Sequence, residues 1–141
     1  MTSQPIRLDT LPGYALRRAA NAMMAELGER LAPMGLRISD VTAMILISTG
    51  SDVTASDLAR MLDIKRTNMV PLLKRLEDAD LVHRRALDGK SQAIDLTEAG
   101  SKVLEQAQAE IETFEAGLLQ RVPEEHREHL LPALQALYHA A

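Results

Sequence analysis

Residues 54–97 read TASDLARMLDIKRTNMVPLLKRLEDADLVHRRALDGKSQAIDLT, and the spacing of apolar residues changes once within them. The first part has helical spacing. Thr54-Ala55-Ser56-Asp57 is a capping box, in which a hydroxyl at the N-cap and a carboxylate three residues on satisfy each other's backbone N–H groups. Behind it, Leu58, Ala59 and Leu62 form one apolar face. After Asp63-Ile64, a second helix carries Met69, Leu72, Leu73 and Leu76 on a core face, which leaves Lys65, Arg66, Thr67, Asn68 and Lys74 for a partner. The period then drops to two. Val82, Arg84 and Ala86 alternate with His83 and Arg85, Asp88-Gly89 supplies a turn, and Gln92 to Leu96 return as a second strand. Two short helices and a basic ribbon in this order predict a winged helix-turn-helix, whose second helix enters a major groove while the ribbon reaches the adjacent backbone or minor groove. A generic helical pair with a surface hairpin is the plainer alternative.

Charge favours the first reading. The 141 residues hold 16 Lys and Arg against 20 Asp and Glu, a formal net charge of -4. Between Arg60 and Gln92, however, eight basic residues face five acidic ones, so this segment is +3 and the remainder is -7. A basic edge on an acidic body neutralises phosphates in one orientation and repels them in others.

Composition bounds what else the chain can do. At 46% hydrophobic residues it has enough material for one domain, or for a compact module with helical extensions. One Phe, two Tyr and no Trp make the core aliphatic, and seven Met make parts of it adaptable. No Cys is present, which excludes disulfides, thiolate metal sites and cysteine redox switches. No apolar run approaches the roughly 18 residues of a membrane span, and no basic-then-apolar leader opens the chain, so a cytoplasmic protein without membrane contact is expected.

The flanks are helical and apolar on one side. Between Leu11 and Leu31, the positions Leu16, Ala20, Met23, Leu27 and Leu31 form an amphipathic helix that ends at Pro33 and Gly35. Ser39-Asp40 is expected to cap a short central helix, Val41 to Ser48, with almost no polar face. Beyond Thr97, a further capping residue, Leu104, Ala107, Ile111, Phe114 and Leu118 repeat every 3.5 residues like a coiled-coil seam. Pro123 suits the first turn of a final helix, in which Leu130, Leu131, Leu134, Leu137 and Tyr138 make a wide apolar stripe. A module of about 45 residues cannot cover both terminal helices, so a homodimer is expected, with an intramolecular bundle as the alternative. Two reading helices about 34 Å apart would match a palindromic operator.

Taken together, Leu58-Ala59, Leu76-Glu77-Asp78-Ala79-Asp80-Leu81-Val82, Arg84-Arg85, Asp88-x-Lys90 and Leu96-Thr97-Glu98-Ala99-Gly100 resemble the MarR family of bacterial transcription regulators across nearly the whole chain. The resemblance implies one mainly α domain over residues 1–141 with a small β-wing. Its winged helix-turn-helix region would span 38–97, with dimerisation helices in 1–35 and 98–141. It further implies an obligate dimer, usually a repressor, that leaves double-stranded DNA when a small, often aromatic molecule binds. Positions matching the family's DNA contacts are Lys65, Arg66, Thr67 and Asn68 in the reading helix, and Arg84, Arg85 and Lys90 in the wing. Lys74 and Ser91 join them as candidate contacts.

Three departures stand out. Asp80 replaces the usual Gly past the reading helix, where a left-handed residue costs an Asp about 1 kcal/mol. The wing carries Asp88-Gly89-Lys90 for Asp-Arg-Arg and is about two residues short, and lysine lacks arginine's fork. Pro71 lies within the reading helix, which predicts either a bend or a helix that starts late enough to put Pro71 in its first turn.

Other signals carry less. Gly89-Lys90-Ser91 resembles the end of a phosphate-binding loop, but the required earlier Gly falls on Arg84. Glu125, His126 and His129 have helical spacing for a metal without an evident further ligand, so neither metal nor cofactor is expected. No nucleophile, base and orienting group stand in a recognised arrangement, and an enzyme is not expected. For an effector, Tyr14, Arg17, Arg18 and Asn21 with Met23 and Met44 could hold a planar carboxylate, the guanidinium gripping the acid. Alternatively, Arg17 and Arg18 are solvated or pair with acids such as Glu105. A ligand-independent module using its wing on an acidic protein is the competing function.

Overall fold

The computed structural model describes residues 3–139 and divides the chain into two compact units, 1–107 and 108–141. In the first unit a one-turn 3-10 helix, Leu8–Thr10, precedes α1, Pro12–Leu31. Then follow α2, Ile38–Thr49; α3, Ala55–Met61; α4, Arg66–Asp78; β1, Val82–Ala86; and β2, Gln92–Leu96. The long helix α5, Glu98–Gln120, contains the boundary, and α6, Arg127–Tyr138, lies in the second unit. The mainly α fold with a two-stranded wing is the expected one. No single helix among the described residues is long and apolar enough to cross a membrane.

The core of the first unit is aliphatic, as the composition requires. Leu31, Val41, Ala43, Met44, Leu58, Met69, Leu73 and Ile94 are all closed off from solvent. The apolar face of α4, Met69, Leu72, Leu73 and Leu76, is wholly buried. One flank of that face is held by charge: the Asp40 carboxylate, 4% exposed, accepts a 2.7 Å hydrogen bond from Arg75 and so ties α2 to α4. That carboxylate also accepts from the Arg37 backbone N–H at 2.9 Å. Asp40 is therefore the third residue of α2 rather than its outer cap, and α2 begins at Ile38, earlier than the apolar run suggests. The sequence reading set the start at Val41, whereas the reach-back hydrogen bond places the N-cap three residues before the carboxylate, at Arg37, and the helix begins just after it.

Helix ends follow their local chemistry. Thr54 and Asp57 cap α3 reciprocally, with Asp57 N–H to Thr54 Oγ1 at 3.2 Å and Thr54 N–H to Asp57 Oδ2 at 3.0 Å. Leu62, expected on the helical face, is its C-cap. Asp63 follows at φ 55°, while Ile64 N–H reaches the Ala59 carbonyl at 3.0 Å. Helix α4 ends in the same way, with Asp80 at φ 58° and Leu81 N–H on the Leu76 carbonyl at 2.9 Å. Both are Schellman ends with an aspartate in the left-handed position that glycine usually fills. The departure noted at Asp80 is thus accommodated geometrically. Helix α4 runs unbroken from Arg66 through Pro71, so the late start does not occur. Thr67, whose carbonyl loses its helical donor to the proline ring, is exposed, so water can supply that donor.

The wing is antiparallel, with Val82 opposite Leu96 and Ala86 opposite Gln92. In β1 Val82 is buried and His83 to Ala86 are exposed, so the expected alternation has no buried face beyond the strand's root. The two-stranded ribbon projects too far to bring the tip of β1 onto the core. A third segment joins it that the sequence did not announce: Ile94 N–H donates to the Val53 carbonyl at 2.7 Å, and Thr54 pairs with Ala93.

The end of α4, the wing and α5 meet at one point. The Thr97 hydroxyl donates to the Asp80 carbonyl at 2.6 Å and accepts from Gly100 N–H at 2.9 Å, as its expected capping role requires. Thr97 N–H donates to the Leu81 carbonyl at 3.0 Å. A Cβ on Gly100 would collide with that same carbonyl oxygen.

In the second unit, Phe114 is buried and Leu118 half-buried. Pro123 does not occupy the first turn of the final helix. It precedes a 3-10 turn, Glu124–His126, and α6 starts only at Arg127. Arg127 sets that start by donating to the carbonyls of Val122 at 2.8 Å and Gln120 at 3.2 Å, closing the end of α5. The α6 stripe remains largely uncovered, with Leu131, Leu137 and Tyr138 exposed.

Two opposite stability effects are expected from the junction. Gly100→Ala should destabilise the fold by about 1 to 3 kcal/mol through overpacking against backbone, whereas Asp80→Gly should stabilise it by about 1 kcal/mol by removing a left-handed non-glycine residue. Urea unfolding of the two variants beside the parent checks both signs.

Candidate nucleic-acid interface

Helix α4 begins at an unusual cap. Lys65 is extended and offers no side-chain acceptor to the first turn, so the positive end of the helix is left open to solvent. Lys65, Arg66, Thr67 and Asn68 are all exposed around it. Opposite stands the wing tip, where Leu87 N–H closes on the Ser91 carbonyl at 3.0 Å and Gly89 takes φ 72°. Between them lies a polar cleft of about 570 Å³, with walls from Thr54, Ser56, Arg66, Arg84, Lys90 and Gln92. The fold therefore brings Arg66, Arg84, Lys90 and Ser91 together, residues separated by up to 25 positions.

Lys74 stands elsewhere on α4, paired with Asp78 at 3.4 Å. Sequence reading missed Thr54, Ser56 and Gln92 as cleft residues. Thr54 had been read only as a cap, and its pairing with Ala93 beside the wing is a tertiary event.

The wing arginines are engaged within the chain. Arg84 Nε donates to Glu77 at 2.6 Å, and Arg85 bridges Asp95 at 2.8 Å and Asp52 at 2.7 Å. These pairs lock the ribbon to the end of α4 and to the loop before α3. The Arg85 hydrogen bond holds the Asp95 carboxyl below its ordinary value, and Asp95 with Asp52 raises the Arg85 guanidinium in turn. Asp57 is lowered as well, chiefly by the Thr54 backbone N–H and then by its hydroxyl. Lys65, Arg66 and Lys90, by contrast, have no ion pair among the described residues. Free cations thus lie at the helix start and the wing tip, while paired ones stiffen the wing's base.

The effector candidates are placed on or near α1. The Arg17 guanidinium lies 5.6 Å from the Tyr14 ring centroid, and Arg17, Arg18 and Asn21 are exposed. Met23 is half-buried. Met44 has no accessible surface, because α2 packs nearly all of its apolar circumference into the core, so it is a core residue in this structure. His126 and His129 each approach only a neighbouring glutamate, and no group of three potential ligands is positioned for a metal among the described residues.

An open helix start facing a basic ribbon tip, on a helix-turn-helix core, defines the class of winged DNA-binding proteins. Comparisons agree. Residues 36–90 match the model of the MarR family. The HTH-type transcriptional repressor Rv2887 of Mycobacterium tuberculosis is 29% identical over 112 residues, 78% of this chain and 81% of that protein. Among solved structures, the transcriptional repressor CouR bound to a 23-mer DNA duplex superimposes with TM-score 0.86 at 26% identity, covering 95% of this chain and 99% of that one. Rv2887 in complex with salicylic acid gives TM-score 0.73 at 26% identity, covering 90% and 96%. The chain is thus similar, over most of its length, to DNA-binding transcriptional regulators of the MarR family.

The Asp95 pairing predicts a pH effect with a definite sign. Because the folded carboxyl titrates below its ordinary value of 3.8, the pairing stabilises the wing fully above that pH and loses its effect as the pH falls through the lower folded value. Protection of the β1 and β2 amides, taken relative to their intrinsic exchange at each pH, should fall over that acid range in the parent, and Asp95→Asn should already show the lower protection at neutral pH.

Proposed function

We infer that this protein is a homodimeric repressor that holds a palindromic operator and releases it when an aromatic acid, or a thioester of one, binds beside α1. The observation that carries the DNA reading is the cleft between the unpaired cations of α4 and the wing tip. In this reading Lys65, Arg66, Thr67, Asn68 and Lys74 face the major groove, and Lys90 and Ser91 meet the flanking phosphates. Arg84 and Arg85 act mainly by fixing the wing's direction. Exposed apolar residues on α1 and α6, among them Leu16, Met24, Leu131 and Leu137, support a second copy as their cover. An apolar hollow of about 350 Å³ lined by Leu118, Leu119, Leu130 and Leu134 supports the same assembly.

The reading is tested on DNA from the protein's own promoter region. Two chains should bind per duplex. Arg66→Ala should weaken the preferred site by about 1 to 3 kcal/mol and relax its base preference. Lys90→Ala should weaken all sequences alike and lower the slope of log K against log salt by about one. Equal binding to promoter and random duplexes by the parent would overturn the assignment and favour a wing surface directed at protein.

The effector reading draws on Tyr14, Arg17, Arg18 and Asn21, whose guanidinium and ring surfaces suit a planar carboxylate. It is supported by the relatives solved with salicylic acid and with p-coumaroyl-CoA. Release requires that the ligand favour a dimer with mis-spaced reading helices, since equal affinity for both states shifts nothing. A coupling of about 2 to 3 kcal/mol lowers operator affinity some thirty- to 150-fold. Titrating benzoates, hydroxycinnamates and their CoA thioesters against the operator complex should find such a compound. Arg18→Ala should keep DNA affinity and lose most of the response; an undiminished response would remove the arginine from the site.

A further inference from the structure

Val70 is 62% exposed in the middle of α4. Scattered surface valines are ordinary, but this one has a particular address. Counting at 100° per residue, Met69, Leu72, Leu73 and Leu76 point to the core, and the opposite side carries Thr67, Val70, Pro71 and Lys74 at i, i+3, i+4 and i+7. Val70 also lies one turn beyond Arg66 along the same edge. The outward face of the helix is therefore an apolar strip of Val70 and the Pro71 ring, bracketed by Arg66 and Lys74.

Neither folding nor solubility asks for that strip. A β-branched residue at an exposed helical site is worse for the helix than alanine, and an interior proline is worse still. A charged partner alone would be met by more lysine and arginine. What an apolar strip between cations complements is a surface that is anionic at its rims and apolar at points on its floor. The major groove is such a surface, because thymine alone among the four DNA bases places a methyl group there.

We propose that Val70, flanked by Pro71, reads the C5-methyl group of a thymine in each half-site, next to the base faced by Arg66. The proposal rests on the DNA-reading role of α4 given above and adds what kind of base its centre selects. The methyl is recognised by burial against the valine, without a hydrogen bond, so the preferred site contains a thymine whose hydrogen-bonding edge is dispensable.

The test uses the full-length protein. Duplexes selected for binding from a random pool are remade with each dT singly replaced by dU, which keeps the pairing edge and removes only the methyl. One position per half-site should then lose affinity about fourfold, the effect of burying one methylene-sized group, and about sixteenfold when both half-sites are changed. Val70→Ala should weaken the dT duplex by a similar factor and be indifferent to dU at that position, so the two losses do not multiply. Its melting temperature should be no lower than the parent's, since alanine favours the helix. Affinity unchanged by dU at every position would overturn the proposal while leaving sequence-specific binding intact, as would losses that multiply independently. A selection that returns no preferred sequence would overturn the DNA reading and this proposal together.

Discussion

The structure depends most on the crowded backbone junction where α4 ends, the wing begins and closes, and α5 starts. Within residues 80–100, the Asp80 and Leu81 carbonyls accept from the Thr97 hydroxyl and N–H, and Gly100 abuts Leu81 where no side chain fits. Each bond is modest alone, about 1 kcal/mol. Their joint effect is geometric. The direction of the ribbon is set at both of its roots by the end of α4, and α5 leaves from the same point. Any reorientation of α5 would act on the wing through this junction, because packed backbone switches between discrete arrangements rather than stretching.

Electrostatics separates two groups among the cations of the basic segment. Asp40, Glu77, Asp52 and Asp95 engage Arg75, Arg84 and Arg85, three arginines that count toward the basic segment in the sequence. Their charge is spent inside the fold, the Asp40 pair with almost complete burial of the carboxylate. Lys65, Arg66 and Lys90 then carry the field that reaches solvent, at the open start of α4 and the tip of the wing. A chain of net charge -4 can thus present a cationic cleft, because its acids are placed to fix arginines at the wing's base and leave the rim to unpaired groups. The ribbon follows this division: Arg84 and Arg85 are both paired at its base, and Lys90 stands unpaired at its tip.

The sequence by itself determined the elements whose causes are local. The capping box at Thr54, the Thr97 cap, the strand limits Val82–Ala86 and Gln92–Leu96, and the left-handed Asp80 all follow from side-chain and backbone chemistry within a few residues. The buried face of α4 follows equally from its period. What the sequence left undecided depended on which partners the folded chain gave each side chain. Asp40 reaches back to Arg37 to start α2, and its burial waited on Arg75, 35 residues away. The start of α6 was set by Arg127 closing α5, which a proline rule could not foresee. Arg84 and Arg85 looked identical to Arg66 as charges, and only the fold, by bringing Glu77, Asp52 and Asp95 to them, decided which cations face outward. Local rules fix where helices and strands exist because their hydrogen bonds span three or four residues, whereas burial and ion pairing are settled only when the folded chain chooses each side chain's neighbours.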